Sequence, residues 1–206
     1  LKKAAGILRT HKNWFRLGLY RFDIIPGPMT VELREGSRFI IRDRKQQESE
    51  LYVVHESFLY GLHDAMLPYM ANAKVGLDIG AHIGTFSVFA ARRSHATIYA
   101  IEPEPENFAH LVQNIKLNNF EKRIIPTQAA VLSESGEKQF YTFQNHALSS
   151  LYDDHAAKYT SDIGSTVVGT RTIRTVNLED FFAKHNITFC DFMKIDAEEA
   201  ERDIFY

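Results

Sequence analysis

The stretch Val75-Gly76-Leu77-Asp78-Ile79-Gly80-Ala81-His82-Ile83-Gly84-Thr85-Phe86 decides the fold. An apolar strand runs into an acid, then a glycine turn, then a helix that begins near Gly84. Gly80 and Gly84 let the backbone approach a ligand closely, and the turn is expected to present free amides at the helix N-terminus. Phosphate-binding loops share this layout, but a carboxylate at Asp78 repels a pyrophosphate and suits a cationic amine or a hydroxyl. Downstream, the strand Thr97-Ile98-Tyr99-Ala100-Ile101 ends on Glu102, where an acid takes both hydroxyls of a ribose. A ligand with an amine and a ribose but no phosphate is S-adenosylmethionine. A nicotinamide site expects G-x-G-x-x-G after the first strand; His82 stands at the middle glycine, which disfavours a nicotinamide-dependent oxidoreductase.

Outward from that turn, 206 residues make one domain with a small N-terminal extension. The expected division is 1–50 for a helix and hairpin extension and 51–206 for an α/β domain. Hydrophobic content of 45% and charged content of 24% are those of a globular protein. A net charge of -2 provides no global basic field, so no nucleic-acid partner is expected. One cysteine, Cys190, leaves no intramolecular disulfide and fits a reducing compartment. With no apolar run of about 18 residues and no secretion-signal core at the start, a cytoplasmic location is expected.

Residues 1–22 mix six cations with apolar and aromatic residues. They read as one helix packed on its own domain, the alternative being a basic amphipathic helix on an anionic membrane surface. A hairpin spans Met29 to Arg44 with its turn at Arg34–Ser37, then a polar loop covers Lys45–Glu50. His55–Met70 reads as a helix, with Tyr52 and Phe58 in the core. From Lys74 strands and helices alternate: strand 75–79, helix 84–93, strand 97–102, helix 105–118, a third strand Ile124–Leu132 and an extended piece Glu137–Phe143. A surface loop is expected over 144–170, extended chain over Arg171–Val176, a short helix from Leu178, and a buried strand Phe189–Ile195. The alternation implies a doubly wound, mainly parallel sheet that stops after its fourth core strand, which leaves that strand as a bare edge.

With the glycine turn, Glu102-Pro103-Glu104-Pro105-Glu106-Asn107-Phe108 and Lys194-Ile195-Asp196-Ala197-Glu198 in order, residues 50–206 resemble the FkbM family of methyltransferases. The resemblance implies the Rossmann-like class I methyltransferase fold, S-adenosylmethionine as donor, and O-methylation of a hydroxyl on a sugar or small natural product. Two positions depart from the family pattern. His82 replaces an asparagine and keeps a polar group in the turn. Glu199 replaces a glycine, so a non-catalytic binding or scaffold domain is the alternative function.

Asp78 is assigned to the methionine amino group, directly or through water, and Glu102 to the ribose hydroxyls. Gly80, Ala81 and Gly84 line the methionine and ribose, with His82, Thr85, Phe86 and Pro103 beside them. Gln128 and Ala129 sit where this fold reads adenine. Asp196 and Glu198 follow the strand nearest the switch point. Asp196 orients the acceptor hydroxyl or takes its proton, and the pair offers oxygen ligands to a divalent metal, although no metal site is assigned. His146, Tyr152, Asp153, Asp154 and His155 populate the loop and are candidates for acceptor contacts or a general base, with solvated side chains as the favoured reading; His63, His95, His110 and His185 receive no role.

Overall fold

The computed structural model describes residues 2–42, 49–143, 167–197 and 203–204. Two helices, α1 (Lys2–Thr10) and α2 (Trp14–Arg21), replace the single helix expected over 1–22. The break has a clear cause: His11 bridges to Leu33, and the Asn13 side chain accepts from Glu32 N (3.0 Å) and donates to Thr30 O (2.6 Å). The chain therefore leaves helical geometry to complete the edge of β1 (Met29–Glu32), which pairs antiparallel with β2 (Arg38–Ile41) as the hairpin pattern predicts. Glu50, expected in a loop, instead opens α3 (Glu50–Phe58) fully buried and paired with Arg42 at 2.5 Å. Gly61, at φ +69°, ends the helical run; a 3₁₀ turn (Asp64–Met66) and α4 (Leu67–Met70) follow. The helix predicted over His55–Met70 is thus broken, and Tyr52 is 55% exposed rather than core. Phe58 does pack against the core.

The expected parallel sheet is present. β3 (Val75–Ile79) lies between β4 (Thr97–Ile101) and β9 (Phe192–Ile195), and β5 (Ile124–Thr127) borders β4. All three pairings are parallel, the arrangement of a Rossmann-like sheet. Strand alternation divides the side chains between two cores. Ile98, Ala100 and Phe192 face one cluster with Phe86 and Phe89 of α5 (Thr85–Arg93) and with Val31, Phe39 and Ile41 of the hairpin. Leu77, Ile79, Ile101, Met193 and Ile195 face the other, against Phe181 of α7 (Leu178–His185). Asp78 and Lys194 are opposite each other in register, which sets up the site chemistry. α6 (Pro105–Leu117) starts as predicted, with Pro105 in its first turn and the Glu104 carboxylate accepting from Asn107 N (2.8 Å). Its Asn114 and Asn118 side chains accept from the Ile40 and Arg38 amides, so the hairpin edge is paired by a helix.

Three expectations change beyond β5. The third strand does not run to Leu132; the chain turns at Gln128–Ala129, and β6 (Ala130–Val131) enters a separate sheet. There β8 (Val167–Val176) pairs parallel with β6 and antiparallel with β7 (Gly136–Phe143). Residues 167–170, expected in the loop, are strand; 144–166, with their histidines, lie outside the described residues. The last strand starts at Phe192 rather than Phe189, which is 70% exposed. Its start is fixed by the Asp191 carboxylate, which accepts from the Lys74 and Val75 amides at 2.8 and 2.9 Å. Cys190 is half-buried beside it, with Sγ 3.0 Å from Phe192 O, and burial pushes its thiol up.

Candidate functional site

A cavity of ≈ 190 Å³ opens at the carboxyl ends of β3, β4 and β9, where ligands bind in open parallel sheets. The turn after β3 supplies Gly80, Ala81, His82, Thr85 and Phe86. β4 supplies Glu102 and Pro103, β6 and its approach supply Ala129 and Val131, and β9 supplies Lys194 and Asp196. Val53, Ser57 and His63 close the side toward α3. Of the residues predicted from sequence, Asp78, Gly84 and Gln128 do not line this cavity. Glu198 lies outside the described residues.

The turn differs from the expected cradle of free amides. Gly80 N and Ala81 N both donate to Ile101 O (2.9 and 3.0 Å), His82 N to Glu102 Oε2 (2.8 Å), and Gly84 N to Ala81 O (2.8 Å). These amides build the wall rather than face a ligand. Glycine is needed at Gly80 for two reasons. Its φ is +73°, and a Cβ there would overlap the Asp196 carbonyl oxygen. His82 sits at φ +51°, a left-handed conformation that asparagine tolerates readily, so the turn accepts either residue for a backbone reason. Burial pushes the His82 imidazole down to about 3, with Arg42 and Lys194 adding to the effect.

Glu102 is 5% exposed and accepts from His82 N, from Glu104 N (3.0 Å) and from Asn107 Nδ2 (3.4 Å). Burial nevertheless raises its carboxyl to about 7, against the pull of those hydrogen bonds. Asp78 is fully buried; Ser87 Oγ donates to its Oδ2 at 2.6 Å, and Lys194 Nζ lies 3.6 Å from its Oδ1. The structure therefore gives Asp78 partners other than the amino group assigned from sequence. Lys194 Nζ also donates to Gly80 O (2.9 Å) and stands 3.2 Å from Asp196 Oδ2, which links three motif residues through one ammonium.

Among the cavity residues that sequence reasoning missed, Lys194 and His63 bear most on the chemistry. Lys194 stands inside a quoted motif, but its role depends on the β3–β9 register. His63 was placed on a helix, and only the Gly61 break turns it inward, edge-on to Phe86 at 4.8 Å between ring centroids. Burial lowers its pKa, the Lys194 charge lowers it further, and Asp78 and Asp196 oppose the shift. Among the described residues no group of three or more His, Cys, Asp or Glu side chains forms a metal site.

A Rossmann-like domain with an acid-bearing cleft at its strand ends defines the broad class. Residues 78–205 match the family described as Methyltransferase FkbM domain, and the chain belongs to that family. It is 30% identical over 109 residues to a tRNA (guanine(37)-N(1))-methyltransferase of Batrachochytrium dendrobatidis, a match that covers 52% of this chain and 22% of that protein. It is 23% identical to the hexuronic acid methyltransferase AglP of Haloferax volcanii over 99% of this chain and 75% of that one. A solved putative transferase from Pyrococcus horikoshii aligns with TM-score 0.40 at 24% identity, over 50% of this chain and 37% of that one.

Proposed function

We propose that this chain is an S-adenosylmethionine-dependent methyltransferase acting on a hydroxyl oxygen of a sugar or other small natural product. The observation that carries the reading is the Glu102 carboxylate, buried in the cavity wall with acceptor capacity to spare. A carboxylate offers about four lone-pair sites. Two backbone amides and the long bond from Asn107 occupy three of them. A ribose diol is the donor that the position and charge of Glu102 suit. The apolar wall from Ile101, Ala129 and Val131 supports an adenine face beside it. The likeness to a hexuronic acid methyltransferase along nearly the whole chain supports a sugar acceptor.

When bound, S-adenosylmethionine supplies an electrophilic methyl group. The chain's own residues supply position and proton handling, and position accounts for a large share of the acceleration. Glu102 holds the ribose end, while Gly80, Ala81 and Phe86 confine the middle. Asp78 acts from behind the wall by orienting Lys194, whose ammonium meets the carboxylate of the amino-acid portion. His63, whose pKa is lowered by burial, would take the acceptor hydroxyl's proton, and the Asp196 carboxylate, which opposes that shift, would balance the imidazolium charge that results.

The tRNA methyltransferase likeness favours a second reading, with a tRNA base as acceptor. The net charge of -2 weighs against it, because tRNA binding draws on a cationic surface. Tritiated methyl transfer to uronic-acid glycans and to tRNA, run in parallel, separates the readings. Label in glycan hydroxyls alone is expected. Label in tRNA overturns the hydroxyl reading, and cofactor binding without transfer to any acceptor supports a scaffold domain.

A further inference from the structure

The N-terminal surface carries a feature that methyl transfer does not use. On α2, Leu17 and Tyr20 are three residues apart and 2% exposed, so they mark the face packed on the domain. Phe15 and Phe22 are seven residues apart, two turns, and fall on the opposite face. They are 62% and 77% exposed, and Ile24 just beyond is 65% exposed. Arg16 and Arg21 lie between the two faces, one on each side, and Lys12 precedes the helix; all three are exposed. An outer helix face in water is normally polar. Here an aromatic ridge points away from the domain between two guanidinium groups, the side-chain pattern of a helix that lies among anionic headgroups.

The charge is also concentrated here. Residues 6–25 carry Arg9, Lys12, Arg16 and Arg21 against Asp23 alone, in a chain of net charge -2. We infer that α2 docks the protein on an anionic membrane surface, with Phe15, Phe22 and Ile24 entering the interface and Lys12, Arg16 and Arg21 meeting the headgroups. A second copy fits less well, because a two-fold contact would bring the guanidinium groups of both copies together. Among the described residues no helix is long and apolar enough to cross a membrane. This inference is independent of the proposed activity.

Co-sedimentation of the full chain with vesicles tests it. Phosphatidylcholine vesicles containing about 30% phosphatidylserine should bind on the order of 100-fold more tightly than phosphatidylcholine alone, as three surface cations imply. About 0.5 M salt should remove most of that preference. Phe15→Ser/Phe22→Ser, at exposed positions, should keep the native Tm and bind at least ~10-fold more weakly to either vesicle. Arg16→Gln/Arg21→Gln should lose mainly the preference for anionic lipid. Equal binding to both vesicle types, undiminished binding by the phenylalanine variant, or a dimer that this variant dissociates would overturn the inference.

Discussion

The two walls of the cleft are built in different ways. The wall at the end of β4 is held by backbone: Glu102 is fixed by the amides of His82 and Glu104, and the turn amides of Gly80 and Ala81 close on Ile101. The wall at the end of β9 is held by charge, through Asp78, Lys194 and Asp196. Backbone amides hold the Glu102 carboxylate from two sides, whereas an ion chain fails once one member is removed. The first wall therefore suits a constant part of a ligand, and the second suits the acceptor side of the cleft.

The largest effect should come where the walls touch. Gly80→Ala forces a Cβ onto the Asp196 carbonyl and demands φ +73° of an L side chain. A loss of roughly 4 kcal/mol or more is expected. For a chain of this size that lowers Tm by on the order of 10 °C, measured by thermal denaturation. Next, His63→Phe keeps a ring edge-on to Phe86 but removes the proposed base. Turnover should fall about 10²- to 10⁴-fold with Tm nearly unchanged; full activity would remove His63 from the mechanism.

Lys194→Met leaves Asp78 buried without its cation, a loss of about 3 kcal/mol. Adding Asp78→Asn should restore part of the Tm, which would show that the charge chain rather than packing holds this wall.

Glu102→Gln should produce the smallest effect, about 10-fold weaker S-adenosylhomocysteine binding in calorimetry. It also carries a pH signature. The native carboxyl is raised to about 7 by burial, so stability from its protonation is fully present below the unfolded carboxyl range and is lost as pH rises through about 7. Ligand affinity runs the opposite way: it falls as pH drops below about 7, because the neutral acid accepts hydroxyls poorly. The glutamine variant should show neither trend.

How much of this was legible in sequence follows the same division. The β3 turn, β4, Glu102 and the capped start of α6 are encoded by neighbouring residues, so apolar alternation, glycine and proline reveal them. The exit of β6 into a second sheet is hidden because the polar break Thr127-Gln128 in Ile124–Leu132 is too short to show a change of sheet; the turn at Gln128 is set by pairing with β8, distant in sequence. Lys194 beside Asp78 depends on strand register, and His63 in the cavity depends on a break at Gly61. Asp78 and Asp196 were legible in sequence, whereas the Lys194 ammonium that joins them is a product of tertiary structure.

The most direct test of the central claim is calorimetric titration of S-adenosylhomocysteine at pH 7 in two buffers of different ionisation enthalpy. Hydroxyl donors on Glu102 favour its charged form, so one-to-one binding with release of a fraction of a proton is predicted, and that release should vanish in Glu102→Gln. Absence of binding, binding of NADH in its place, or proton release unchanged in Glu102→Gln would contradict the account.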